Sequence, residues 1–231
     1  MTREATITCS TSPWIAGADP ARLSECLGEP HWLCRRRQEA WETFQSLPWP
    51  DAADEEWRHV PMKELSPDGY APPAAHGTPP AAHTPSLQSK HYAAGLVRYH
   101  ADGVEIHLRD DLRQQGVLFT TLHDAACRYP DLVQQHLGRA IPSAAGKFEA
   151  LHGAYWSGGL FLHVPAGVEV SAPFRAGVLY HVPGGALFPR LLVVAGAGSA
   201  FTLVEEHASP HDAQPAFASP LAEVIVGDGA R

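Results

Sequence analysis

Apolar positions along the chain follow two different periods, one after the other. From Pro30 to Leu47, "PHWLCRRRQEAWETFQSL", residues Leu33, Ala40, Trp41, Phe44 and Leu47 recur on one face of the roughly 3.6-residue helical period, with Pro30 suited to a first helical position. The Pro-Trp-Pro that follows stops this helix. "DEEWRHVPMKELSP" then reads as a short acidic helical turn carrying Trp57, followed by an extended, proline-limited segment. The stretch "SPDGYAPPAAHGTPPAAHTPSLQS" has too little large apolar surface to offset the ordering of its backbone, and is expected to be a flexible linker. Beyond it, "LVRYHADGVEIHL" alternates on either side of Ala101-Asp102-Gly103, a hairpin signal. Two short helices are expected next. Thr121 and Asp124 form a capping box for "TLHDAACRY", and Pro130 and Gly138 bracket "PDLVQQHL".

From Lys147 the texture changes to short apolar runs broken by Gly and Pro, with no amphipathic stretch of helix length. "FLHVPAGVEV", "LVVAGAGSAFTLV" and "EVIVGDGAR" each present an apolar run, a tight turn ending in glycine, and renewed alternation. Their glycines Gly167, Gly198 and Gly229 are 31 residues apart in both intervals. A fixed spacing of that size is what stacked repeats produce, so residues 147–231 are expected to be the opening coils of a β-solenoid. The expected organisation is a helical region over 1–65, a linker over 66–91, a hairpin with short helices over 92–146, and the repeats after them.

Charge narrows the function classes. With 25 acidic against 17 basic residues the formal charge is −8, which disfavours nucleic acid and anionic membrane surfaces as partners. The basic run Arg35-Arg36-Arg37 is expected to be a solvated helix face. No run approaches the roughly 20 apolar residues of a membrane span, and "MTREATITCSTSPW" lacks the pattern of a secretory signal, so a cytoplasmic location is expected. Cys9, Cys26, Cys34 and Cys127 are unevenly spaced with no C-x-x-C, so they are expected to be free thiols.

Each candidate for chemistry is weak. A dinucleotide loop at Gly196-Ala197-Gly198 would need a third glycine and a following helix, but Ser199-Ala200-Phe201-Thr202 alternate like a strand. No P-loop motif occurs. Glu205, Glu206, His207 and His211 could supply a metal site only on a helix, which Pro210 opposes, and His163 and His181 share only their "HVP" context. Surface or packing roles are expected for all of these. Ser157, in "YWSGG", has neither a nucleophile elbow nor an evident base.

In sequence order, "GVLFTTLHDAACRYPDLVQQHLGRAI", "KFEALHGAYWSGGLFLHVPAGVEVSAPF", "FPRLLVVAGAGSAFTLVEEHASP" and "AEVIVGDGAR" resemble landmarks of the SufB/SufD iron–sulfur cluster assembly proteins. "LPWPDAADEEWRHVPMKEL" resembles the lead-in segment of the SufD branch. "VEEHASP" also looks SufD-like, because SufB-like chains usually carry Gly-Cys where Glu206 and His207 stand, and the Arg-x-Asn pair usual near "AGVLYHV" is absent. The resemblance implies a mainly β fold with an α-helical N-terminal region, namely a right-handed parallel β-helix. It further implies a non-catalytic scaffold that works with a SufB-type protein and a SufC-type ATPase. The iron–sulfur cluster is then assembled by the complex, and no cofactor is held by this chain.

Family members continue through further coils to a C-terminal helical region, where the cluster-associated Cys, Glu and His positions and the ATPase-docking surface lie. This chain stops at Arg231, directly after a turn, and is therefore expected to be a truncated form of such a protein. No catalytic, cofactor-binding or metal-binding residue is assigned. The rival reading is a cupin-like metal-binding or sugar-binding β-barrel, suggested by "FLHVPAGVEVSAPF"; against it, Pro165 stands where a second ligand histidine should be.

Overall fold

In a computed structural model, the described residues are 19–62, 65, 67, 70–71, 93–100, 103–179, 184–209 and 216–231. Most of the expected linker, the hairpin turn Ala101-Asp102, and His181 and His211 lie outside them. Helix α1 (Pro20–Leu27) begins on the Asp19 carboxylate, which accepts the Ala21 and Arg22 N–H groups, and ends at Gly28. Helix α2 (His31–Ser46) carries the expected periodicity, with Pro30 just outside the helix at its N-cap. Asp51 to Trp57 turn without forming a helix.

Strands β1 (Gly95–His100) and β2 (Gly103–Leu108) pair antiparallel as the hairpin signal predicts. Helix α3 (Asp110–Gln114) and strand β3 (Leu118–Thr121) lead to α4 (Leu122–Arg128), where the Thr121 hydroxyl accepts the Asp124 N–H at 3.0 Å. Helix α5 (Pro130–His136) starts with its proline and is followed by Gly138 at φ 71°. Helix α6 (Lys147–Tyr155) then precedes strands β4 (Gly159–Val164), β5 (Phe174–Leu179), β6 (Ala186–Leu187), β7 (Arg190–Ala195), β8 (Leu203–Ala208), β9 (Phe217–Ala218) and β10 (Leu221–Val226).

These strands form two four-stranded sheets, β2-β1-β5-β8 and β10-β7-β4-β3, and a small pair β6-β9. Both larger sheets are mixed. β4, β7 and β10 run parallel, as do β1, β5 and β8, whereas β3 and β2 join antiparallel. This corrects the expected right-handed parallel β-helix: with six helices and two mixed sheets the described residues form no β-solenoid, and no closed barrel either. The repeat had a narrower meaning. It sets the pairing of one column of strands, where Gly159 meets Arg190 and Arg190 meets Leu221, while the other sheet pairs Phe174 with Leu203 at a different offset. The antiparallel strands come from sequence that carries no repeat.

The glycines of the repeat have distinct tasks. Gly198 adopts φ 67°, as Gly167 and Gly229 do at their own turns (73° and 69°), a region that side chains disfavour. Gly196 is needed for proximity, because a Cβ there would lie 2.4 Å from the Ala166 nitrogen and 2.7 Å from the Pro165 carbonyl carbon. Both obstacles are backbone and cannot swing aside. Gly196→Ala is therefore expected to lower stability by about 2 kcal/mol, in the range of overpacked sites. Urea unfolding would show it, and an unchanged midpoint would disprove this stacking of turns.

Two cores result. One lies between the helices and the β10-β7-β4-β3 sheet, with Leu33, Phe44, Leu122, Leu151, Phe161 and Leu192 in it. The second lies between the two large sheets and includes Val97, Phe119, Leu160, Leu162, Phe174 and Val193. Strands β4 and β7 thus face a core on each side, and all six residues of β7 are buried. That is why they read as unbroken apolar runs. Helix α6 escapes sequence patterning for the same reason: seven of its nine residues are buried, leaving no polar face.

Candidate functional site

The strongest polar constellation lies where α2, α6 and the loop after α5 meet the sheet. Along one column of paired strand positions stand Phe161, Leu192 and Glu223, so a carboxylate occupies an otherwise apolar row. Glu223 is completely buried. It accepts the N–H groups of Gly138 (2.9 Å), Ala140 (3.2 Å) and Ile141 (3.2 Å), and pairs with Arg190 at 2.5 Å. Arg190 is itself buried on β7, and its Nε has no hydrogen-bond partner. Burial pushes its guanidinium below the ordinary value, and Glu223 opposes that shift.

His152 of α6 completes the group. Its Nε2 lies 3.2 Å from the Pro189 carbonyl, so Nε2 carries the hydrogen and donates, leaving Nδ1 to accept from Arg190 at 3.5 Å. Full burial, followed by the Arg190 charge, holds the imidazole neutral, with its pKa lowered to about 3. A second ion pair sits nearby. Arg37 donates to Glu29 at 2.7 and 2.6 Å and to the Ala154 carbonyl at 3.1 Å, with its guanidinium 4.6 Å from the Trp156 ring. Burial raises the Glu29 pKa, but the hydrogen bonds and charge of Arg37, the nearby His123 imidazole and the Ser24 hydroxyl outweigh it, and the value falls to about 2.

This corrects the solvated reading of Arg35-Arg36-Arg37. Only Arg35 is exposed. Arg37 is fully buried, and Arg36 donates to the Leu137 and Gln134 carbonyls, closing the C-terminus of α5. Lys147 does the same for α2, donating to the Phe44 and Leu47 carbonyls with its ammonium 4.0 Å from the Phe44 ring. A cavity of about 290 Å³ remains over this junction, lined by Arg36, Thr43, Gly138, Ser143, Trp156 and Arg190 among others.

The chemistry open to this cluster is limited. The Glu223 oxygens are engaged by four donors and His152 is held neutral, so the groups fix elements in place; they do not present a free base. The sequence candidates are dispersed. Glu205 and His207 project from β8 and contact each other at 3.3 Å, and Glu206, between them on the strand, has a buried Oε2. His163 on β4 lies parallel to the Phe161 ring. Among the described residues no group of three or more His, Cys, Asp or Glu side chains is placed to hold a metal, and no helix is long and apolar enough to cross a membrane.

Sequence reasoning passed over Glu223 and Arg190 and took Arg37 for a solvated residue, although Glu223 and Arg37 each left a signal. Glu223 stands one repeat after Leu192 and two after Phe161, and Arg37 falls on the buried face with Leu33, Ala40 and Phe44.

Comparison with known proteins places this architecture. The profile of the SufBD protein N-terminal region matches residues 26–176. The chain is similar to the iron–sulfur cluster assembly protein SufB of Bacillus subtilis (strain 168), with 27% identity over 217 residues, covering 90% of this chain and 47% of that protein. It also resembles an iron–sulfur cluster assembly SufBD family protein of Mycobacterium tuberculosis (strain ATCC 25618 / H37Rv), with 29% identity over 211 residues, 83% of this chain and 25% of that protein. A SufBD family protein of Staphylococcus haemolyticus is 25% identical over 220 residues, covering 88% of this chain and 46% of its own. The chain spans about half the length of the Bacillus and Staphylococcus relatives and a quarter of the mycobacterial one.

Proposed function

Because the chain belongs to the SufBD family, whose relatives are named for iron–sulfur cluster assembly, we propose that it is a scaffold component of that machinery, working with a SufB-type protein and a SufC-type ATPase. The observation that carries this reading is the profile match over residues 26–176, from the last turn of α1 into β5, which takes in helices α2 to α6 and the start of both large sheets. The use of polar groups supports a scaffold. Glu223, Arg190, Arg37 and Lys147 are all spent on joining helices and loops to one another or to the sheet. In this reading the cluster is cargo built by the complex, and the chain itself contributes surface and rigidity in the cytoplasm.

A SufD-like position within the family is the finer part of the proposal. It rests on Glu206 and His207, at positions where SufB-like chains usually carry Gly-Cys. A form of the chain extended by the C-terminal coils and helical region that family members carry, co-expressed with a SufB-type and a SufC-type protein, is expected to yield one complex containing all three. Recovery of that extended form with the ATPase alone would remove the SufD-like assignment. Its recovery with neither would remove the scaffold role.

A further inference from the structure

One face of α4 carries a thiol and an imidazole, and behind the imidazole stands the carboxylate of Glu29, from the link between α1 and α2. His123 and Cys127 are one helical turn apart, so their side chains lie on the same face, and the Cys127 Sγ is 3.9 Å from the His123 Nε2. The other ring nitrogen points inward. Nδ1 is buried, has no hydrogen bond, and lies 3.8 Å from the Glu29 Oε1. Glu29 is fixed from behind by both Arg37 bonds and by the Ser24 hydroxyl at 2.8 Å, and its side chain is closed to solvent. Cys127 itself is exposed. From solvent inward the order is thiol, imidazole, oriented carboxylate, which is the geometry of a nucleophile, its base and the group that orients the base. Apo contacts of this kind are commonly long and shorten when a reactant is bound.

We propose that Cys127 is a thiol–disulfide exchange site with His123 as its base, positioned by Glu29, and that its reactant is the disulfide of a small thiol. As Sγ attacks one sulfur of the disulfide, Nε2 takes the thiol proton. A new sulfur–sulfur bond forms to Cys127, the original one breaks, and the imidazolium returns the proton to the departing thiolate. The products are one mixed disulfide and one free thiol, with no outside oxidant. A base is needed because burial, Asp124 and Glu29 push the Cys127 thiol above its ordinary value, against the smaller opposing effect of Arg128. The thiol rests protonated, and its proton must leave during the attack.

The test uses the full chain with Cys9, Cys26 and Cys34 changed to Ser, beside a second chain keeping only Cys26, which is also exposed. Both are mixed with a neutral dipyridyl disulfide near pH 7, and release of the pyridine thione is followed. The Cys127 chain is expected to react at least about tenfold faster than the Cys26 chain, with His123→Gln removing the advantage. Without any variant at His123, the pH–rate profile of the Cys127 chain should rise at lower pH than that of the Cys26 chain, ahead of ordinary thiol ionisation. Equal rates for the two cysteines, or a profile that follows thiol ionisation alone, would overturn the assignment. That holds whether or not the His123 variant folds.

Discussion

Glu223→Ala is expected to lower the unfolding free energy by about 3–5 kcal/mol, the range found when one partner of a buried ion pair is removed. Several losses coincide. Arg190 would keep its charge in a site where it is only 5% exposed, with its Nε already lacking a partner. The N–H groups of Gly138, Ala140 and Ile141 would lose their acceptor, and the loop after α5 its tie to β10. Because the penalty comes from the stranded cation, changing both residues (Arg190→Met with Glu223→Leu) should cost clearly less than the two single changes added together. Urea unfolding of the four proteins closes that cycle, and additive losses would show that the two residues act separately.

Acidification is expected to weaken the fold in two overlapping stages. His152 has a folded pKa of about 3 against an ordinary 6.5, so below pH 6.5 the unfolded chain takes a proton that the folded chain refuses, and stability falls until about pH 3. His136 and His163 are also lowered by burial and steepen the same range. Glu29, at about 2 against 4.5, contributes stability that is complete above pH 4.5 and disappears as the pH falls through 2, on the order of 3 kcal/mol. The urea midpoint should therefore drop between pH 7 and pH 5, before ordinary carboxylates protonate, and His152→Gln should flatten that first stage. A midpoint constant over this interval in the unaltered chain would contradict a neutral buried His152.

How far the sequence could be read depended on how local each signal was. Thr121 with Asp124, Pro130 with Gly138, and the glycines Gly198 and Gly229 announce themselves within a few residues, and each sits where its spacing put it. The whole architecture did not follow. The regular glycines suggested a solenoid, but β2 and β3 close the sheets antiparallel, and that pairing depends on partners far away in sequence. Helix α6 was missed because a helix surrounded by core loses the polar stripe that identifies one. Charged residues misled in a similar way. Arg37 and Glu223 look like solvent-facing residues until the periodicity around them is followed, when each falls on a row of apolar neighbours. A charge that breaks an apolar row was the more informative signal at this junction.

Strands β4 and β7 act as a party wall. Phe161, Leu192 and Val194 belong to the core beneath the helices, while Leu160, Leu162, Leu191 and Val193, from the same two strands, belong to the core between the sheets. Neither compartment can loosen while the other keeps its packing, because both lean on the same backbone. The helical layer and the second sheet are thus expected to unfold in one cooperative transition, with damage on either side of the wall felt on both.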